Sequence, residues 1–317
     1  MAPKFGLLFL SLLLQFSCSP TKFAIRQSSG VLSDSKVVFT REPDLQLAEY
    51  GLAGNLKILE VLQYQDPENV IINLFLAEAY SAYALGFAED KIEELEFEDP
   101  ELRDIERIRA ISFYMRARSY ALQALQQFGD FSDIEEVSPG NFQKKIDDLN
   151  KDAVPAIFWT AFSWGSAINL SRDDIDALAQ LSKIEIMMSF VKRHDPEFFF
   201  GGVYLFEGVF FGSRSPTLGG DLARSRSGFD KAKSLTKGKL LIVYYLQAYS
   251  YCLFSQDREC FRSNLNYVLN APKDIFPEQS LANAVARKKA KRLLEREEEY
   301  FLPDDLEEPL DEEDQSE

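Results

Sequence analysis

Apolar residues recur at the three-to-four spacing of a helix almost without a break from Asp44 to Tyr300, and no β-type alternation persists. This periodicity predicts helices over about 44–65, 69–88, 101–128, 153–169, 172–193, 198–211, 220–235, 239–255, 257–270 and 277–299. Asp66-Pro67 and Asp195-Pro196 each end one helix and open the next, because proline suits a first turn and not an interior. Ser171 with Asp174 reads as a capping-box-like start. The stretch from Gly129 to Lys151 is the clearest irregular insertion.

The most distinctive pattern lies in DPEFFFGGVYLFEGVFFGSRSPTLGGD, Asp195 to Asp221. On a helical wheel Phe199, Val203, Phe206 and Phe210 form one apolar stripe. Gly201, Gly208 and Gly212 with Leu205 form a small-residue stripe that admits another backbone. Phe200, Tyr204, Glu207 and Phe211 form a third, with one carboxylate among three rings. A helix apolar nearly all round is buried on several sides or lines a cavity. The bland reading, an interior helix of an all-α core, explains most of these residues.

Short turns between helices suggest repeats, and the tetratricopeptide spacing fits in places. Leu76, Ala77 and Tyr80 fall at first-helix packing positions, and Ala110, Tyr114 and Ala117 at second-helix ones. Tyr204, Gly208 and Phe211 repeat the first-helix spacing with Phe229 and Ala232 as partners, and Tyr244, Ala248 and Tyr251 repeat it again. The expected fold is therefore all-α, a tetratricopeptide-like superhelix of helical hairpins with irregular insertions.

Charge changes the picture only at the end of the chain. The formal net charge is −16, and the stretch from Glu295 onward supplies −12 of it, so the body is nearly balanced. Residues 301–317 are expected to form an acidic, disordered and solvated tail. Such a balance, with no dominant basic face, excludes nucleic acid as a partner class.

The other end reads as a targeting segment, with Lys4 before the apolar run Phe5 to Phe16 and then Ser17 and Cys18. Residues 1–17 are expected to be a signal peptide, Cys18 a lipidation site as in bacterial lipoproteins, and 18–43 a lipid-anchored tether to a 44–300 helical domain. An incidental cysteine after an ordinary cleaved signal is the alternative. Export would permit a disulfide between Cys252 and Cys260, placed symmetrically about Gln256; two buried thiols are the other reading.

Candidate chemistry is sparse and points to binding without catalysis. His194 is the only histidine and stands where it caps a helix C-terminus. One histidine and two late cysteines cannot make a four-ligand zinc site, and neither a nucleophile elbow nor a phosphate loop nor a dinucleotide fingerprint is present. No metal or cofactor is expected. Gly219-Gly220-Asp221 reads as a turn with Asp221 near an N-cap. Trp159 and Trp164 suit either a core or the wall of an apolar cleft. Asn283, among alanines in a helix, requires a partner if it is buried.

Several segments together resemble the T component of tripartite ATP-independent periplasmic (TRAP) transporters. They are IRAISFYMRARSYALQAL, FWTAFSWGSAINLSRDD, the Asp195–Asp221 stretch, FDKAKSL and SLANAVARKKAKRLL, in order over most of 105–294. The resemblance implies a helical periplasmic lipoprotein that forms homotrimers with apolar passages and pairs with the substrate-binding P component. It implies an accessory that helps pass a small ligand, apolar or an organic acid. Trp159, Trp164, Tyr204, Glu207, Phe211 and Asn283 are the residues expected at the ligand or partner surface. A structural envelope scaffold without a ligand path is the competing expectation.

Overall fold

The computed structural model describes residues 20–301, and every regular element among them is helical. Cys18 and the acidic tail beyond Phe301 lie outside the described residues. The helices are α1 Pro20–Asp34, α2 Lys36–Thr40, α3 Leu45–Gln65, α4 Val70–Tyr83, α5 Glu89–Leu95, α6 Pro100–Leu125, α7 Pro139–Asp147 and α8 Val154–Asn169. There follow α9 Ile175–Leu178, α10 Leu181–His194, α11 Phe198–Gly212, α12 Leu222–Leu235, α13 Ile242–Leu246, α14 Arg258–Asn270, α15 Ser280–Glu295 and α16 Glu297–Tyr300. Starts are fixed by short acidic or amide side chains that accept from free backbone N–H groups. Asp44, Asn69, Asp99, Asp174, Asp221 and Asp257 all do this. The cap of α9 is thus Asp174 alone, since the Ser171 hydroxyl donates to Ala167 O.

Further expectations change, beginning with the helix predicted over 172–193, which is split into α9 and α10. The segment expected as a tether carries α1 and α2, with Ile25 and Ser29 buried and the Arg26 Nε donating to Asp66 at 2.7 Å. The 129–151 insertion contains α7 and buries Phe131, Ile134, Phe142 and Ile146, so it packs as core. The predicted 69–88 helix continues through a π turn, Ala84–Ala88, into α5. At the start of α11, Phe199, Phe200 and Gly201 have φ of 49, 59 and 74°, a left-handed turn that bulky residues adopt only under strain. The helical-wheel stripes therefore fail at residues 199–201 and hold only beyond them.

The longer helices pack in sequence: α3 on α4, α4 on α6, α6 on α8, α8 on α10 and α11 on α12. Of the residues noted in the repeat pattern, Leu76, Ala77, Ala110, Tyr114, Ala117, Phe229 and Ala248 are fully buried, whereas Tyr204, Tyr244 and Tyr251 are half-buried. At the α11–α12 crossing the approach is backbone to backbone. A Cβ on Gly228 would stand 2.7 Å from Tyr204 O and 2.8 Å from Gly208 N. The small-residue face of α11 does admit another helix, and glycine is needed on both sides.

α15 ties the last hairpins to the first. It packs on α14 and on α2 and α3, and its basic face meets the acidic face of α5. Glu93 accepts from Lys289 Nζ at 2.7 Å and from Arg292 Nη2 at 2.7 Å. Asp90 accepts from Lys288 Nζ at 2.5 Å and Arg292 Nη2 at 2.8 Å. Asn283 is buried with both amide atoms engaged, its Oδ1 accepting from Leu241 N at 2.8 Å and its Nδ2 donating to Lys239 O at 3.0 Å. Cys252 and Cys260 are joined by a disulfide across the turn before α14, with Cα atoms 5.7 Å apart.

Candidate functional site

Two cavities open between the central and C-terminal helices. The first encloses about 350 Å³ and is walled by α8, α11, the α13 region and the α4–α5 junction. Its apolar wall includes Leu205, Phe206, Val209, Phe210, Leu246 and Phe254, and its volume is within the range of small-molecule sites. Polar groups gather at the C-terminal ends of α8 and α11. Asn169 Oδ1 accepts from Ser213 Oγ at 3.2 Å and from Arg172 Nη2 at 3.0 Å. Arg214 donates to Phe210 O at 2.8 Å and lies 4.0 Å over the Phe210 ring. In the same lining the Tyr114 hydroxyl donates to Glu89, and burial pushes both groups up from their ordinary values.

The second cavity encloses about 180 Å³ and is almost wholly apolar, with Trp159, Phe199, Phe200, Ile242 and Leu281 in its walls. Phe199 and Phe200 are about two-fifths exposed, so the strained turn puts two rings at an accessible edge. Leu85, Phe162 and Leu205 belong to both cavities. A waist of three side chains is therefore common to them. Leu85 sits in the Ala84–Ala88 π turn, and Tyr249 and Ser250 of a second π turn, Gln247–Cys252, line the first cavity. The extra residue of a π turn re-aims side chains and recurs at functional sites.

A family model described as the TRAP transporter T-component matches residues 41–301. The chain belongs to that family. Among curated proteins none matches it. A TRAP transporter T component is an accessory of a bacterial envelope transporter and not a member of an enzyme family.

In this T component the residues singled out from the sequence scatter. Trp159 lines the second cavity. Trp164 is buried under the Arg118 guanidinium, 4.0 Å above its ring, and lines neither cavity. Glu207 stands on the other side of α11, where Lys192 Nζ donates to its two oxygens at 3.0 and 2.8 Å. Tyr204 is half-buried beside it, with Lys192 Nζ 5.2 Å from its ring. Phe211 is buried beneath the Arg224 guanidinium at 3.7 Å. Asn283 joins α15 to the start of α13, as described above. His194 ends α10 with its ring stacked on Phe190 at 4.1 Å.

Sequence reasoning missed the residues that build the first cavity. Leu205, Phe206, Val209 and Phe210 were visible as apolar helix positions, but the wheel did not say which stripe meets empty space. Arg172 and Arg214 carried no pattern at all. Their available signal was position: each basic residue follows the end of a strongly apolar helix, Val154–Asn169 and Phe198–Gly212.

Proposed function

We propose that this T component is a periplasmic lipoprotein, anchored through Cys18, that binds the P component of its transporter and passes a small ligand between the two cavities. The observation that carries this reading is the shared waist: Leu85, Phe162 and Leu205 border a cavity of about 350 Å³ on one side and about 180 Å³ on the other. Packed cores leave few voids larger than a water molecule. Two adjoining apolar volumes of this size favour a passage over a scaffold whose aromatics only fill the interior.

Protein contact has its own support. Leu47, Tyr50, Ile58, Val61 and Tyr64 follow one another along α3 at helical spacing, and each is more than half exposed. An apolar stripe of this kind marks a surface for another protein. We assign it to the homotrimer contact, which leaves the P component to the cavity mouths.

Affinity capture of the full chain from its native envelope, with mass spectrometry of both proteins and small molecules, tests the reading. A co-captured solute receptor and an apolar or amphiphilic small molecule are expected. Capture of neither would return the chain to the scaffold reading. Mass analysis of the mature N-terminus tests the anchor: an unmodified peptide starting anywhere else removes Cys18.

A further inference from the structure

The first cavity has a charged end whose two guanidinium groups, Arg214 and Arg172, form no ion pair among the described residues. Arg214 is 4 % exposed, and its Nε is buried without a hydrogen-bond partner. Its one hydrogen bond goes to Phe210 O, and among the described residues it forms no ion pair. Arg172 borders the same space and spends its Nε and Nη2 on Asn169 O and Oδ1, both at 3.0 Å, with no carboxylate partner either. A buried guanidinium without a counter-charge is costly, and contact with the Phe210 ring offsets that cost only in part. Burial, then the charge of Arg172, pull Arg214 down to about 10, with Glu185 opposing. The remaining guanidinium donors form a planar fork that matches a carboxylate.

We infer that Arg214 and Arg172, with Asn169 and Ser213, bind the head group of a monocarboxylate whose apolar body lies against Leu205 and Val209. This rests on the ligand passage proposed above and names the chemistry of its occupant. One head group is specified, not two, because the remaining ionisable acid in the lining is Glu89, already engaged by Tyr114. A second carboxylate there would face a like group, whereas an alkyl or aryl body meets Phe206 and Phe254.

Decanoate and decanol, each displacing neutral 1-aminoanthracene from the full chain, test the site. Decanoate is expected to bind about tenfold tighter or more, as a charge-assisted fork requires. Arg214→Gln is expected to bring the two probes to within about twofold while leaving decanol unchanged. Equal displacement by both probes from the unaltered protein would overturn the head-group site and leave the passage standing. Displacement by neither would remove the passage itself and the site with it. A preference retained in Arg214→Gln would also overturn the assignment. Where circular dichroism shows that variant unfolded, Arg172→Gln at the exposed rim takes its place. It is expected to reduce the preference about threefold or more, and an unchanged preference would refute the inference.

Discussion

Replacing Lys289 with methionine tests how α5 and α15 hold the two halves of the protein together. Lys289 is 1 % exposed and Glu93 is 8 % exposed, and their bond is 2.7 Å long. Methionine keeps the volume of the stem and removes only the charge, so Glu93 and Asp90 are left with Arg292 and Lys288. Removing one member of a buried pair costs about 3–5 kcal/mol, because the remaining charge stays out of water. Arg292 still reaches Glu93, which places the expected loss near the lower figure. At about 2 cal/mol/K per residue over some 280 folded residues, about 3 kcal/mol lowers the melting temperature by about 5 °C.

The matched control is Lys291→Met, whose pair with Glu295 is 3.8 Å long and mostly exposed, and which is worth at most about 1 kcal/mol. Calorimetry at neutral pH compares the two variants. Acid adds a second readout. Burial would raise Asp90, but Lys289, Lys288 and Arg292 outweigh it and hold the carboxyl below its ordinary range. Its contribution is therefore complete above the unfolded value of about 3.9 and is lost as pH falls through the lower native value. Without Lys289 that depression shrinks, so the gap between the parent protein and the variant should narrow below about pH 4. Equal melting temperatures for Lys289→Met and Lys291→Met would refute the network as a clasp.

Three further outcomes are expected. Reducing the Cys252–Cys260 bond, or replacing both cysteines with serine, removes a short loop closure and should cost about 2.5 kcal/mol by denaturant titration; an unchanged midpoint would show that the bond contributes nothing to stability. Gly228→Ala forces a Cβ to 2.7 Å from Tyr204 O and should destabilise by about 2 kcal/mol or more. In Gly30→Ala the new Cβ meets no atom within 4 Å, so it should gain up to about 1 kcal/mol, and equal thermal shifts for the two would contradict the close crossing. Ile58→Asp together with Val61→Asp, both 62 % exposed, should lower the mass measured by light scattering with an unchanged circular dichroism spectrum; the parent mass retained would release α3 from the oligomer contact.

Periodicity exposed most of the helices, because each needs only a local rule: apolar positions every three to four residues, an Asp or Asn cap, a proline at a start. The burial of Ala77, Tyr114, Phe229 and Ala248 followed from the same spacing. The site was less legible. α11 is apolar on almost every face, so the wheel sorted Tyr204, Glu207 and Phe211, Leu205, and Phe206 and Phe210 into three stripes without saying which one borders a cavity. Trp159 was found because aromatic bulk suits a cavity wall, and Trp164 was not distinguishable from it by that criterion.

By itself the sequence determined an all-helical chain of the TRAP T-component family with its caps, glycine crossings and candidate aromatics. The tertiary structure alone decided where space remains. Leu85 and Leu205 come to line the same cavities, and Asp90 meets Arg292 across a separation of 202 residues, only once the helices have packed. The π turns and the left-handed Phe199–Gly201 turn likewise depend on packing that overrides local preference. A helix specifies its own faces through short-range spacing, but which face meets protein and which meets a void depends on every other helix around it.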